Sequence, residues 1–356
     1  MIEIKNFVEI SKYAGERFDL VQASGGNSSV KITDTKMLIK ASGFLLSDIN
    51  ENKGYSKVDF CRVANILKDR SITAEIDKTK REVLVKKLIE DATLDENNRP
   101  SIETLLHSSL YKYTLHTHPV VVNMVVIQKE WREMLTSIFK DEEIALVPYK
   151  TPGIDLALEL VRVINTLKKI PKIIFLQNHG LIITSNNIED IKKITELVLE
   201  KIEKFLKIDM HRYKMTNKIS NMINNIEKNS NIVCLSEDRY LNEQLSKNID
   251  LFFLKPFCPD SLVFCGISAV KIKDFLDVTA LQNYRERYFE LPKVVIFEEN
   301  LFLVALNVKK AKEVEEVLKF HIMVLEQSKE TNNNFLDSKE ISYLNSWEAE
   351  KFRKKI

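Results

Sequence analysis

The sequence predicts a mixed α/β (α+β) protein of two domains, and three observations predict it. Stretches with a helical apolar rhythm alternate with short alternating or continuous apolar runs along the chain. The 356 residues are too many for one ordinary domain of roughly 100–200 residues and suit two. Over residues 216–231 the composition shifts to Asn, Lys and Ser (TNKISNMINNIEKNSN) before patterned segments restart, which marks a candidate inter-domain connection. The expected domains are therefore 1–215 and 216–356, the second an α/β accessory domain with no role assigned.

The elements follow in order. Residues 3–18 place Ile4, Phe7, Val8, Ile10 and Tyr13 at helical spacing. Ser24-Gly25-Gly26-Asn27 is a turn-forming cluster, followed by strands at 29–32 and 37–40 and a second tight turn at Ser42-Gly43. Helices are expected near 56–68, 78–91 and 101–112, then a strand at 113–117 that Pro119 closes. Pro152-Gly153 precedes a helix at 154–168. The continuous run 172–176 (KIIFL) reads as a buried strand, and 181–184 as its neighbour. Residues 187–209 form the longest helix, with Ile188, Ile191, Ile194, Val198, Ile202, Phe205 and Leu206 in register. In the second half, strands are expected at 251–254, 261–264, 294–297 and 301–306, and a helix at 309–327. A final helix begins at Asp337, where Glu340 completes a capping-box signature, and continues to the end of the sequence.

Composition excludes several classes. Basic and acidic residues nearly cancel, 53 against 51, so a net charge of +2 gives no field for nucleic acid or a membrane surface. No stretch approaches the roughly 20 apolar residues of a membrane span, and the N-terminal segment carries acids among its apolar positions, unlike a signal or transit peptide. Cys61, Cys234, Cys258 and Cys265 lack metal or redox spacing and read as buried free thiols of a cytoplasmic protein. Glycine is scarce, eight residues in the chain, so its positions mark places where backbone geometry demands it.

Three of the six histidines have contexts suited to a metal. His116-Thr117-His118 is an H-x-H pair, and on a strand residues i and i+2 point to the same side, so both imidazoles reach one ion. His179 ends the apolar strand 172–176 directly before Gly180, where the backbone turns and the ring projects. Three neutral imidazoles leave a divalent zinc one open position, the catalytic arrangement, although another divalent metal would also suit. Glu103 lies in Ser101-Ile102-Glu103, at i, i+4 spacing from His107 on the expected helix, with Ser101 suited to its N-cap. A carboxylate near a bound cation serves as ligand, general base or both in turn. His211 and His321 fall on helices with apolar neighbours and read as structural.

The two glycine turns offer anion sites. Ser24-Gly25-Gly26-Asn27-Ser28-Ser29 is not a dinucleotide fingerprint, and none occurs in the chain, which argues against a Rossmann enzyme. It does present successive backbone N–H groups with an amide and hydroxyls, and Lys40-Ala41-Ser42-Gly43 adds a cation on the adjacent strand.

Taken together, these pieces resemble the class II aldolase/adducin family. The matching residues are Gly25-Gly26-Asn27-Ser28-Ser29-Val30, Lys40-Ala41-Ser42-Gly43, Ser101-Ile102-Glu103 with His107, His116-Thr117-His118-Pro119 and Asn178-His179-Gly180, in the family's order over residues 5–210. The resemblance implies a three-layer α/β/α domain with a central, mostly antiparallel sheet, and a homo-oligomer, a tetramer with active sites between subunits. It implies zinc held by His116, His118 and His179, Glu103 as acid/base, and phosphate or substrate contacts from Gly26, Asn27, Lys40, Ser42, Gly43 and Ser101, with Ser24 beside them. The implied partner is a small sugar or sugar phosphate, with no nucleic acid and no membrane. The implied reaction is reversible retro-aldol cleavage of a ketose phosphate or related sugar through a metal-stabilised enediolate. Epimerisation, dehydration or decarboxylation would use the same platform, and an adducin-like scaffold would lack intact ligands. Two departures are visible: Ile102 stands where the phosphate aldolases often carry a second serine, and the chain continues well past the family core. Some long rhamnulose-phosphate aldolase relatives carry a dehydrogenase half, but the second half here has no glycine fingerprint. Residues 347–353 (WEAEKFR) match a tail seen in long relatives and suggest helix packing.

Overall fold

The computed structural model describes residues 2–95, 98–227, 231–328 and 333–346, and the chain divides into two units, Met1–Met210 and His211–Ile356. The first unit runs α1 (Ile2–Gly15), β1 (Asn27–Lys31), β2 (Lys36–Lys40), β3 (Tyr55–Asp59), α2 (Phe60–Ile66), α3 (Arg70–Thr73), α4 (Lys78–Asp91) and α5 (Thr104–Ser108). It continues with β4 (Tyr113–Thr117), α6 (Val120–Val126), α7 (Trp131–Ile138), β5 (Ile144–Val147), α8 (Ile154–Ile164), β6 (Ile173–Leu176), β7 (Gly180–Ser185) and α9 (Ile188–Leu206).

The sheet has seven strands in the order β3-β2-β1-β4-β7-β6-β5, antiparallel throughout except for the β5–β6 pair. Every residue of β4, β6 and β7 is buried, so the central strands are covered on both faces and read as continuous apolar runs. On one face α2, α4, α5 and α8 share a core with Ala145, Val147, Ile174, Leu176 and Ile182. On the other, α1 packs against β1 and β4, and α9 against β4 and β7. Phe175, alternating with Ile174, meets Phe139 on this second side at a ring separation of 5.2 Å. The first unit is thus the expected three-layer α/β/α arrangement around a mostly antiparallel sheet.

The second unit runs α10 (His211–Ile226), β8 (Ile232–Leu235), α11 (Arg239–Lys247), β9 (Val270–Lys271), α12 (Thr279–Tyr288), β10 (Val294–Phe297), β11 (Asn300–Ala305), α13 (Val308–Gln327) and α14 (Ser338–Ser346). Its sheet has the order β8-β11-β10-β9. Val295, Phe297, Phe302 and Val304 share one core with α10 and α12, while Val294, Ile296, Leu301 and Leu303 share another with α11 and α13. This period-two split places helices on both faces of the sheet.

Several local expectations give way. The Asn-rich stretch 216–231, read as a connection, is mostly α10, whose Met215, Ile219, Met222 and Ile223 are buried at helical spacing among the polar residues. In place of the strand expected at 251–254, residues 251–253 belong to a 3-10 turn, Ile249–Phe253, that ends before Leu254, and 261–264 belong to a π-helical turn, Ser261–Cys265. Four apolar residues in a row do not distinguish strand from buried turn. The helix expected at 56–68 is split, because Tyr55–Asp59 pairs with β2 as an edge strand with only Ser56 and Val58 buried. The helix expected at 101–112 shortens to α5. Glu103, not Ser101, occupies its N-cap position, and its side chain makes no capping bond. The final helix is described to Ser346, and the 347–353 segment lies outside the described residues. Among the described residues no helix is long and apolar enough to cross a membrane.

Candidate metal centre

The two central strands bring the histidines together. β4 pairs with β7 so that His116 lies opposite Ile182 and Thr117 opposite Leu181, and β7 pairs with β6 through Leu176 and Gly180. His179 sits at the β6–β7 corner, after Asn178 in the left-handed region at φ +54°. His118 follows the end of β4, its N–H bonded to Leu20 O at 2.9 Å. Two close approaches make this corner possible. A Cβ on Gly180 would lie 2.2 Å from Thr117 O, and one on Gly26, at φ +67°, would lie 2.7 Å from His116 O. Both glycines therefore allow backbone to pass directly against the histidine-bearing strand.

The side chains converge. His116 Nε2 lies 3.1 Å from His118 Nε2 and 3.2 Å from His179 Nε2. Glu103 Oε1 lies 3.2 Å from His179 Nε2 and 3.6 Å from His116 Nε2. His116 Nδ1 stands 3.0 Å from Leu181 O, and since a carbonyl only accepts, Nδ1 carries the proton and Nε2 presents a lone pair. That lone pair faces two further ring nitrogens, and a single shared cation satisfies the three imidazoles together, with the Glu103 carboxylate beside them. Ligands about 2.0–2.1 Å from a tetrahedral ion stand roughly 3.3 Å apart, close to the separations found here. The residues present fit a divalent cation. Among the described residues these three histidines are the only group of three or more His, Cys, Asp or Glu side chains close enough to share an ion.

Electrostatics agree with the geometry. Burial pushes His116 down to about 3, leaving it neutral, and burial likewise lowers His118. Burial acts upward on Glu103, but positive charge at the cluster it faces, together with the hydrogen bond to His179, outweighs it and holds the carboxyl well below its usual range. Asn27 Nδ2 donates to Glu103 Oε2, which leaves Oε1 turned toward the imidazoles.

The expected anion contacts surround this cluster unevenly. Asn27 is buried at the start of β1 and reaches Glu103. Lys40 is buried at the end of β2, its Nζ 3.2 Å from Ser24 O, and its charge couples to both Glu103 and His118. Ser101 Oγ accepts the Glu103 N–H at 3.3 Å. Ser42 and Gly43 form an exposed turn beside this segment, Ala41 bridging Pro100. The Ser42 N–H already bonds Arg99 O at 2.8 Å, and the Gly25 N–H bonds Gln22 O at 3.0 Å, so neither of these amides is spare for an anion. Gly43, at φ +85°, has open space where a side chain would stand. His211 is exposed on α10 rather than packed among apolar neighbours. His321 is buried, 3.1 Å from Ser261 Oγ and stacked on Phe257. Ser29, expected among the anion-binding hydroxyls, meets His107 instead, and the Leu181 carbonyl, not expected at the site, meets His116; the alternation of Asn27, Ser29 and Lys31 was the available signal for the former.

Comparison with known proteins places this geometry in context. Among solved structures, the N-terminal class II aldolase domain of a conserved protein from Thermoplasma acidophilum is 24% identical, covering 57% of this chain and 93% of its own, with a TM-score of 0.49. A sugar-phosphate aldolase from Thermotoga maritima is 15% identical, covering 57% of this chain and 94% of its own, with a TM-score of 0.41. The L-fuculose-1-phosphate aldolase of Thermus thermophilus is 15% identical, covering 58% and 94%, with a TM-score of 0.38. No curated protein matches the sequence. The family model for the class II aldolase and adducin N-terminal domain matches residues 5–205, more than half of the chain, and the protein therefore belongs to that family.

Proposed function

We propose that this protein is a divalent-metal aldolase, with Zn2+ as its ion, that reversibly cleaves a ketose phosphate or related sugar. The observation that carries the reading is the convergence of His116, His118 and His179 on one point, with Glu103 beside them. His116, His118 and His179 would hold the ion. When bound, a divalent cation supplies Lewis-acid polarisation of a carbonyl and neutralises charge that develops on its oxygen.

The chain's own residues do the rest. In the cleavage direction the substrate hydroxyl beyond the scissile bond gives its proton to the Glu103 carboxylate, and the C–C bond electrons pass toward the carbonyl as an aldehyde departs. Glu103, ionised and aimed by Asn27, moves the proton at the carbon next to the carbonyl, returning it after cleavage and removing it in the synthetic direction. The Lys40 ammonium supplies positive charge beside the site, and the open turn at Ser42 and Gly43, with Ser101, forms the side from which a sugar or its phosphate enters, while Gly26 lets β1 lie close against the His116 strand. Ordinary enolisation is slow at neutral pH, and a well-placed general base contributes about 10²–10⁴-fold.

Family membership supports a homo-oligomer, read as a tetramer, and mass measurement of the native protein would decide it against a monomer. Four free cysteines support a reducing, cytoplasmic setting, which localisation of the tagged chain would test. The unit from His211 onward is read as an accessory domain. The deciding experiment is metal analysis of gently purified protein together with product analysis on a panel of sugar phosphates. One ion per chain, an aldehyde product, and a Glu103→Gln variant that keeps metal but loses about 10²–10⁴-fold in turnover are expected. Protein without stoichiometric metal, or a Glu103→Gln variant with full turnover, would overturn the reading.

A further inference from the structure

Glu103 stands at the mouth of a helix that has little means of fixing itself. α5 is five residues long, well short of the roughly 12–15 at which an isolated helix becomes even marginal. Its N-cap is Glu103, whose side chain makes no capping bond. Its position must therefore come from tertiary contacts, and β1 provides a regular set.

Along β1, Asn27, Ser29 and Lys31 occupy alternate positions and so project from one face. Each meets the α5 segment. Asn27 Nδ2 bonds Glu103 Oε2. Ser29 Oγ lies 2.7 Å from His107 Nδ1, one helical turn further on. Lys31 Nζ bonds the carbonyls of Ser108 at 3.1 Å and Leu110 at 2.5 Å, closing the C-terminal end of the helix. Ser28, between them on the opposite face, bonds Ser11 Oγ of α1 instead. The strand grips the helix at three successive rungs, the first of which is the carboxylate itself.

The middle rung stands out. His107 is fully buried, and its Nε2 has no hydrogen-bond partner. Burying an imidazole with an unsatisfied nitrogen is unfavourable, a cost that an aliphatic residue in the same place would avoid. The Ser29 bond is what the site gains in return.

We propose that Ser29 and His107 are positioning residues that fix Glu103 against the histidine cluster by anchoring α5 to β1. The inference rests on the aldolase reading for its catalytic consequence, but not for its structural one. His107 touches neither substrate nor metal in this account; it acts through the helix that carries Glu103.

The test uses the full chain in two states. In metal-free protein, hydrogen exchange is measured for peptides over 101–110 and over 113–117. His107→Leu and Ser29→Ala should each speed exchange in 101–110 by about tenfold or more while 113–117 stays protected. His107→Asn, whose amide nitrogen falls near the position of Nδ1, should restore most of that protection. In zinc-loaded protein, His107→Leu should lower kcat about 100-fold with KM and zinc stoichiometry little changed, the scale expected for misplacing a reacting group by about 1 Å. His107→Asn should recover to within about tenfold of the parent, and Ser29→Ala combined with His107→Leu should be no worse than the leucine variant alone. Unchanged exchange in 101–110 would overturn the anchoring, and faster exchange with undiminished kcat would overturn the link to Glu103. Absence of turnover in the parent protein on every sugar phosphate would instead overturn the aldolase reading, leaving the exchange result to judge the anchor by itself.

Discussion

Replacing Gly180 with alanine tests how tightly the metal cluster is tied to backbone packing. The new Cβ would stand 2.2 Å from Thr117 O and 3.2 Å from both Cα and Cδ2 of His118. The closest of these is a backbone oxygen in the most central part of the sheet, so no side chain swings aside to relieve it. Reaching even 3.0 Å requires a displacement of 0.8 Å, the difference between 3.0 and 2.2, where β7 meets the end of β4. His118 follows that end of β4 and His179 precedes Gly180, so the displacement moves two of the three imidazoles apart. Metal–ligand distances tolerate only about 0.2 Å. A shift several times larger should weaken zinc by at least the 10–100-fold that disturbing an outer-shell partner causes. Overpacking of this kind costs about 1–3 kcal/mol, which for a unit of this size is about 2–12 °C in Tm. Calorimetry of the metal-free protein and competition with a chromophoric chelator read the two effects separately. An alanine variant that binds zinc within about threefold of the parent and melts at the parent's temperature would refute this view of the corner.

Other outcomes follow from the same structure. His118→Ala should lose bound zinc while keeping the far-ultraviolet circular dichroism of the parent, because the other two ligands sit on preformed strands; full metal content in that variant contradicts the ligand assignment. In the second unit, burial pushes His321 down to about 4. Above pH ~6.5 the imidazole is neutral whether folded or unfolded and stability is complete; as pH falls from ~6.5 to ~4 the unfolded chain takes a proton that the folded chain refuses. That window should cost about 3 kcal/mol, seen as faster hydrogen exchange along α13 at pH 4.5 than at pH 7 after correction for intrinsic rates. His321→Phe should flatten the dependence, and an unchanged slope in that variant would exclude His321 as its source.

Much of the first unit was legible because its strongest signals are local. The apolar rhythm of 187–209 became α9, and KIIFL became β6, since long periodic or continuous runs leave few alternatives. The histidines were legible because H-x-H on a strand and Asn-His-Gly at a corner each imply where a ring points. β3 escaped because its buried positions are Ser56 and Val58, which give almost no alternation in hydrophobicity; its place is set by pairing with β2. α10 escaped because asparagines and lysines on its exposed face masked a buried stripe of Met215, Ile219, Met222 and Ile223. The turns at Ile249–Phe253 and Ser261–Cys265 are apolar because they are buried in the second unit's cores, and burial alone does not choose between strand and turn. At the site, the pairing of Asn27 with Glu103 and of Ser29 with His107 joins residues more than seventy positions apart, a relation that appears only once β1 and α5 are placed together.

We propose that three imidazoles, from the end of β4 and the β6–β7 corner, hold one divalent cation. X-ray absorption at the zinc edge of protein loaded with one equivalent of Zn2+ measures this directly. A first shell of nitrogen or oxygen donors at about 2.0–2.1 Å, with outer-shell scattering from three imidazoles that drops to two in His118→Ala, is the predicted result. A shell containing sulfur, or imidazole scattering unchanged by that substitution, would contradict it.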